Sequence, residues 1–273
     1  MSGKILTVRQ NKSTEYNIKN NSTPVGLGSY WGEVLDVLQE IIPVYDKVNS
    51  YISFGKDSEH RSRAIKGKIQ NGDKILDAGS GFGNMSKTAL DVANEEVEIM
   101  LYDPLLAMIK NTDRLFKKKP EPTCGVFEHV PFKSAQFDVV LSGYSLRDAI
   151  SLNIAISEIH RVLKKGGKWI IVDLGKPDEP IVRFGVSFYL KLILPIVAYI
   201  AGGRLGLKFA TLYRTYKLWP ENKKLESMLL EKFTSVEFEK DLMGGAIMVA
   251  AYKWAKFRII QIFNFVKNDL ILC

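Results

Sequence analysis

Cysteine and histidine are scarce in this 273-residue chain, with two of the first and three of the second. Cys124 and Cys273 form neither a disulfide framework nor a paired metal-ligand spacing. Zinc and iron–sulfur chemistry are therefore excluded, no metal site is expected, and a reducing cytoplasmic setting fits. The opening residues hold no long apolar stretch, so no signal peptide is expected. Internal repeats and low-complexity tracts are absent, as is the Asn/Asp-Pro-Pro-Tyr/Phe motif associated with base flipping. No appended RNA-binding module is visible either, so nucleic acid is not the expected partner. What is abundant is positive charge. A net +8 favours anionic surfaces such as lipid headgroups or nucleic acid, and serves equally as a plain solubility trait.

With 46% hydrophobic residues, the length supports one sizeable α/β core. Its most informative stretch is Lys74-Ile-Leu-Asp-Ala-Gly-Ser-Gly-Phe-Gly83. Ile75 and Leu76 read as a buried parallel strand. Gly79, Gly81 and Gly83 make a turn whose missing side chains let a ligand approach the backbone. A helix pattern follows through Met85, Ala89, Leu90 and Val92, then a second strand from Val97 to Asp103. A carboxylate at that strand end can accept hydrogen bonds from both ribose hydroxyls of a nucleoside. Dinucleotide sites set a pyrophosphate on the helix N-terminus, where the acid Asp77 would repel it. Asp77 suits the ammonium of a methionine moiety instead, and the stretch resembles motif I of class I S-adenosylmethionine-dependent methyltransferases. A glycine turn in a dinucleotide oxidoreductase is the competing reading.

Residues 1–30 read as an irregular, loosely packed extension. A helix is expected from Trp31, with Val34, Leu35, Leu38 and Ile42 on one face and Pro43 ending it. Later strands are expected at Phe137–Ser142 and Lys168–Leu174. The helix between them carries Leu152, Ile156, Ile159 and Leu163 and is closed by Gly166-Gly167. Two final strands, Ser235–Glu239 and Ala246–Ala251, form a hairpin. The fold expected is a Rossmann-like α/β domain over 31–253, with a mostly parallel seven-stranded sheet whose last strand is antiparallel.

Tyr45-Asp-Lys-Val-Asn-Ser-Tyr-Ile-Ser-Phe-Gly55 resembles the YDxxNxxxSFG signature of the ubiquinone/menaquinone biosynthesis C-methyltransferases. Val130-Pro-Phe…Phe137-Asp, Leu146-Arg-Asp148, Arg161–Gly167 with Val172–Pro177, and Leu242–Ala246 follow further blocks of that family. The resemblance spans residues 31 to 253. Asp148 replaces the family's Asn, Asp173 its Glu, Gly175 its Ser and Lys165 its Pro. These departures bear on the acceptor more than on the chemistry.

The resemblance implies C-methylation of a prenylated quinol with S-adenosyl-L-methionine as donor. The cofactor contacts it implies are Asp77, Gly79, Ser80, Gly81, Phe82, Gly83, Asp103, Pro104, Phe127, Glu128 and Gly143. Tyr45, Asn49 and Tyr144 are the expected substrate contacts, and Arg147 and Asp148 the catalytic pair. Arg147 would stabilise a phenolate or orient a water, and Asp148 would act as base. The bland reading of that pair is a local helix start. His129 is expected as a loop residue near the adenine, and His160 as a packing or surface residue. Another lipid or small-molecule acceptor is the first alternative; a nucleic-acid methyltransferase is the weaker one.

Two segments stand outside that core. Residues 181–203 are nearly long enough to span a bilayer, but Lys191 and Pro195 interrupt them and strands on both sides must enter one sheet. An apolar lid (about 181–215) over a lipophilic quinol is expected, touching the inner face of the membrane; a core-packing helix pair is the plainer reading. Residues 254–273 alternate apolar clusters with basic residues, as in an interfacial amphipathic segment. A homodimer contact or docking onto the domain explains that pattern equally well.

Overall fold

Ile75 and Leu76 are adjacent in sequence, point to opposite faces of a strand, and are both fully buried. The same holds for Val139 with Val140 and for Ile170 with Ile171. Strands apolar on both faces require cover on both faces, the condition of a parallel sheet wound with helices. The computed structural model, which describes residues 25–93, 96–110, 112, 116 and 121–254, has that architecture. Its strands are β1 (Lys74–Ala78), β2 (Glu98–Asp103), β3 (Glu121–Cys124), β4 (Phe137–Gly143), β5 (Leu163–Leu174), β6 (Ser235–Asp241) and β7 (Ala246–Tyr252). They form one seven-stranded sheet in the order β3-β2-β1-β4-β5-β7-β6. β1 pairs parallel with β2 and β4, whereas β7 runs antiparallel to both β5 and β6. The chain winds outward from β1 to β3, then returns to the other side of β1 with β4. The crevice at the carboxyl ends of β1 and β4 is thus the topological switch point, where α/β sheets bind ligands.

The helices are α1 (Trp31–Ile41), α2 (Tyr45–Ile52), α3 (Lys56–Ile65), α4 (Asn84–Val92), α5 (Leu106–Lys110), α6 (Leu152–Val162), α7 (Pro180–Phe188), α8 (Leu194–Gly206), α9 (Thr211–Leu218) and α10 (Asn222–Leu230). α6 and α10 cover one sheet face around Trp169, and α3 and α4 cover the other around Ile75, Leu101 and Ile170. A third apolar cluster joins α1, α2, α8 and α9 through Ile41, Val48, Ala198 and Tyr216. This is a helical cap standing over the switch point.

Two expectations need correction. α6 ends at Val162, and Leu163 already pairs with Phe137 as the first residue of β5. Gly166-Gly167 therefore caps no helix. The register jumps from Phe137↔Leu163 to Val139↔Lys168, so Lys164–Gly167 bulge out of the strand, with Gly166 at φ +85. Residues 25–30 are not loose. Leu27 is buried, and the Leu27 and Gly28 N–H groups donate to Ala149 and Ile150 carbonyls at 2.9 Å. The rest of the N-terminal extension (1–24) and residues 255–273 of the tail lie outside the described residues.

The insert folds as α7, a π-helical turn at Tyr189–Ile193, and α8, which bends at Gly203 (φ 60, ψ −142). The helical run Pro180–Leu218 is long and apolar enough to cross a membrane. Yet β5 before it and β7 after it are hydrogen-bonded neighbours.

Candidate active site

Gly79 and Gly81 carry φ of +71 and +52, values that favour glycine. A Cβ on Gly79 would overlap the Ser145 side chain and press on Phe127, whereas one on Gly81 would meet nothing nearer than Met108 Sδ at 3.8 Å. Gly79 is glycine for packing, and Gly81 holds the turn's ligand side open. Gly83 (φ +80) precedes α4, and a Cβ there would press on Phe116; it does not line the cleft.

The turn bounds a cleft of about 1020 Å³, part of it open to solvent. Ser80, Phe82, Gly143, Tyr144, Arg147 and Asp148 share its wall with Gly79, Gly81 and Asp103. An adjoining cleft of about 520 Å³ is lined by Pro104, Phe127 and Glu128, with Gly79, Asp103 and Asp148 common to both.

Asp103 ends β2 with its carboxylate against the turn: Oδ2 accepts from Gly81 N–H and Oδ1 from Leu105 N–H, both at 2.8 Å. Each oxygen keeps a lone pair for a ligand hydroxyl. Burial pushes its pKa up to about 6 despite those two donors. Asp77 is fully buried beneath the turn rather than on the cleft wall. Its Oδ2 accepts from the Ser86 N–H (3.1 Å) and Oγ (2.6 Å), fixing the start of α4, while Oδ1 has no partner. Burial pushes Asp77 up to about 6 as well. Glu128 accepts from Ser151 N–H at 2.9 Å and leaves Oε2 buried and unpaired. Ser80 Oγ is also buried without a partner. Unpaired acceptors beside an open glycine turn are what a nucleoside bearing an ammonium would satisfy, so the residues present fit S-adenosylmethionine.

Arg147 is locked in place. Its Nη1 donates to Asp173 Oδ1 at 2.7 Å and its backbone N–H to Asp173 Oδ2 at 3.2 Å, while Nε is buried without a hydrogen-bond partner. Burial opposes its charge, but Asp148 and Asp173 more than offset this, and the guanidinium stays firmly protonated. Asp148 Oδ1 stands 3.8 Å from Arg147 Nε. Burial raises Asp148 to about 6, the range useful to a general base.

Tyr45 and Asn49 lie one helical turn apart on α2 and both line the cleft, with Ile52 a turn further on. Tyr45 packs edge-on against Phe82 at 5.8 Å. Its neighbour Asp46 instead accepts from Asn84 Nδ2 at 3.2 Å. His129 is exposed and lines neither cleft. His160 packs edge-on against Phe233.

Sequence reasoning missed the contribution of α3 to the cleft wall. Arg61 lines the cleft, bonded to Asp57 at 2.6 Å and 5.2 Å from the Tyr144 ring centre. Tyr189, Leu190, Leu194 and Leu212 from the insert complete the cleft's apolar side. Spacing gave a hint for α3 alone: His60 with Ala64, and Arg61 with Ile65, fall four apart on its inner face.

Sheet order, switch-point cleft, glycine turn and the acid closing β2 together define a class I S-adenosylmethionine-dependent methyltransferase. Solved structures share the fold. A SAM-dependent methyltransferase from Thermotoga maritima superposes with TM-score 0.56 at 15% identity, over 80% of this chain and 99% of its own length. More narrowly, residues 28–254 match the model of the ubiE/COQ5 methyltransferase family, and the chain belongs to that family. Relatives include the demethylmenaquinone methyltransferase of Leptospira interrogans, 29% identical over 81% of this chain and 93% of that protein. The ubiquinone/menaquinone biosynthesis C-methyltransferase UbiE of Neisseria meningitidis is 28% identical over 83% and 92%. The 2-phytyl-1,4-naphtoquinone methyltransferase of Nostoc punctiforme is 29% identical over 64% and 77%.

Proposed function

We propose that this enzyme transfers a methyl group from S-adenosylmethionine to a ring carbon of a prenylated quinol. The observation that carries the reading is the single cleft that joins the Asp103 turn, the Arg147–Asp148 pair and an apolar wall from the insert. The names of the Leptospira, Neisseria and Nostoc relatives, all quinone methyltransferases, support it.

The bound donor supplies an electrophilic sulfonium methyl, so the chain's task is alignment and control of charge and protons. Asp103 accepts from the ribose hydroxyls, Gly79, Ser80, Gly81 and Phe82 flank the methionine part, and Pro104, Phe127 and Glu128 hold the adenine in the adjoining cleft. Asp77 balances the ammonium from beneath the turn, and Gly143, which lines the cleft, leaves room for the Met85 side chain. Tyr45, Asn49 and Tyr144 flank the quinol ring. A phenol ionises near pH 10 in water, so the ring needs help to become electron-rich at neutral pH. Asp148 accepts a hydroxyl proton, and the unpaired Nε–H of Arg147 donates to the resulting phenolate. Tyr189, Leu190, Leu194 and Leu212 receive the start of the prenyl tail.

The test supplies a demethylated quinol, kept reduced, with methyl-labelled donor. The label is expected on a ring carbon. Label on oxygen, or none with any quinol, overturns the reading. Arg147→Lys keeps a charge for Asp173 and removes the Nε donor, since full truncation would strand a buried carboxylate at a cost of about 3–5 kcal/mol. It is expected to lower kcat with little change in donor affinity by calorimetry.

A further inference from the structure

Behind the cleft wall, Tyr144, His60 and Asp241 are joined in series from three separate elements. The Tyr144 ring lines the cleft directly after β4, and its hydroxyl lies 3.1 Å from His60 Nδ1. His60, on the inner face of α3, is 2% exposed, and its Nε2 lies 3.1 Å from Asp241 Oδ2 at the end of β6. Asp241 is held well ionised, at about pKa 2, by the Leu242 N–H, His60 and Arg63. An ionised acceptor on that side makes Nε2 the donor and leaves Nδ1 to accept the Tyr144 O–H. Burial keeps the Tyr144 hydroxyl protonated in spite of Arg61 and Arg147. Tyr144 also sits at φ +57, a strained conformation for a bulky residue. Its N–H is pinned to the Val172 carbonyl at 2.6 Å. Strain of this kind persists where surrounding structure fixes a side chain in a working position.

Such a chain has the composition of a base with an orienting carboxylate, carried to the cleft by a phenol. Methylation of a ring carbon releases one net proton, because the attacked carbon must lose its hydrogen to regain aromaticity. Resting on the quinol reading above, we propose that Tyr144, His60 and Asp241 form a proton acceptor for that ring hydrogen. The C–H bond breaks and its electron pair restores the ring. The proton passes to Tyr144 Oη as the Tyr144 proton passes to His60 Nδ1, and the resulting imidazolium rests against Asp241. When product leaves, the proton returns along the same path to water entering the cleft. Asp148 handles the hydroxyl proton, so the two bases serve different atoms of the acceptor. The charged groups facing the chain are Arg61, Asp57, Arg147 and Asp173 around Tyr144, and Arg63 and Lys56 around Asp241. Tyr144 and His60 are thereby assigned to proton transfer, and Asp241 is a positioning residue.

The experiment compares Tyr144→Phe, His60→Gln and the double variant on a quinol carrying hydrogen or deuterium at the attacked carbon. Each single variant is expected to lose about a hundredfold in kcat, the lower end of general-base effects. Calorimetric donor affinity stays at the wild-type value. Each also gains a primary isotope effect absent from the wild type, because ring-proton loss becomes rate-limiting. The double variant is expected to be no slower than the slower single, as for groups acting in one unit. Wild-type kcat in Tyr144→Phe overturns the proposal, as does a loss without a ring-deuterium effect or losses that multiply. Tyr144→Phe deletes one oxygen, so the test stands even where His60→Gln does not fold. Failure of the wild type to methylate any quinol refutes the quinol reading itself, a result distinct from all of these.

Discussion

The buried carboxylates of the site carry a cost to stability. Asp77 has pKa about 6 in the fold, raised by burial from an ordinary value of 3.8. Between those values the folded state binds more protons than the unfolded chain, so stability falls as pH rises from about 4 to about 6. The destabilisation is fully developed above pH 6 and vanishes below about pH 4. Asn in place of Asp77 keeps an acceptor for Ser86 and removes the charge. Asp77→Asn is therefore expected to stabilise the ligand-free protein by about 1–3 kcal/mol at pH 7.5 and scarcely at all at pH 4. It is also expected to weaken donor binding, since the ammonium loses its counter-charge. Thermal unfolding at the two pH values and calorimetry check both halves. Asp77 and Asp103 were readable because a turn and a strand end place them by local order alone. Arg61 and His60 were not, because nothing near residue 60 in sequence shows that α3 packs beside the end of β4.

At the scale of elements, the two turn glycines separate packing from access. Gly79→Ala puts a Cβ into Ser145 at a left-handed φ, and is expected to destabilise the fold by about 1–3 kcal/mol or more. Gly81→Ala meets open space, so its stability loss is limited to about the 1–2 kcal/mol of backbone strain, while donor affinity falls because the methyl stands where the ligand approaches. Denaturant melts together with calorimetry separate the two. Equal stability losses with equal affinity losses would show that the turn acts as one rigid piece. Element types read well where apolar period was strong, as in β1, β4 and α6. The end of α6 was misplaced because Gly166-Gly167 resembles a helix stop. Pairing of Leu163 with Phe137 starts the strand earlier and turns the glycines into a bulge.

At the scale of the molecule, the cap carries an unusual outer face. Ile181, Phe184, Ile196 and Ile200 on α7 and α8 are 87%, 72%, 61% and 71% exposed, while Leu190 and Leu194 of the same insert line the cleft. Lys191 and Arg204 are exposed beside them. The quinol proposed above is insoluble and would be collected at a bilayer, where an apolar face flanked by cations suits the headgroup boundary. A variant with Ser at positions 181, 184, 196 and 200 is expected to lose sedimentation with anionic liposomes while retaining its fold by circular dichroism. Removing 254–273 is expected to reduce binding further by about 1 kcal/mol per basic residue at the surface. If the Ser variant binds as well as wild type, the face serves another contact, such as self-association.

The sequence alone determined the class of fold, the family and the place of the glycine turn between β1 and α4. Those rest on hydrophobic period, glycine positions and acids whose neighbours are fixed by a short stretch of chain. Tertiary structure decided the rest. It moved Asp77 under the turn, locked Arg147 to Asp173, and joined Tyr144 to His60 and Asp241 across separations of 84 and 181 residues. It also left one face of the insert bare. Such contacts depend on how helices settle over a sheet, a sum of many packing terms that no local pattern encodes.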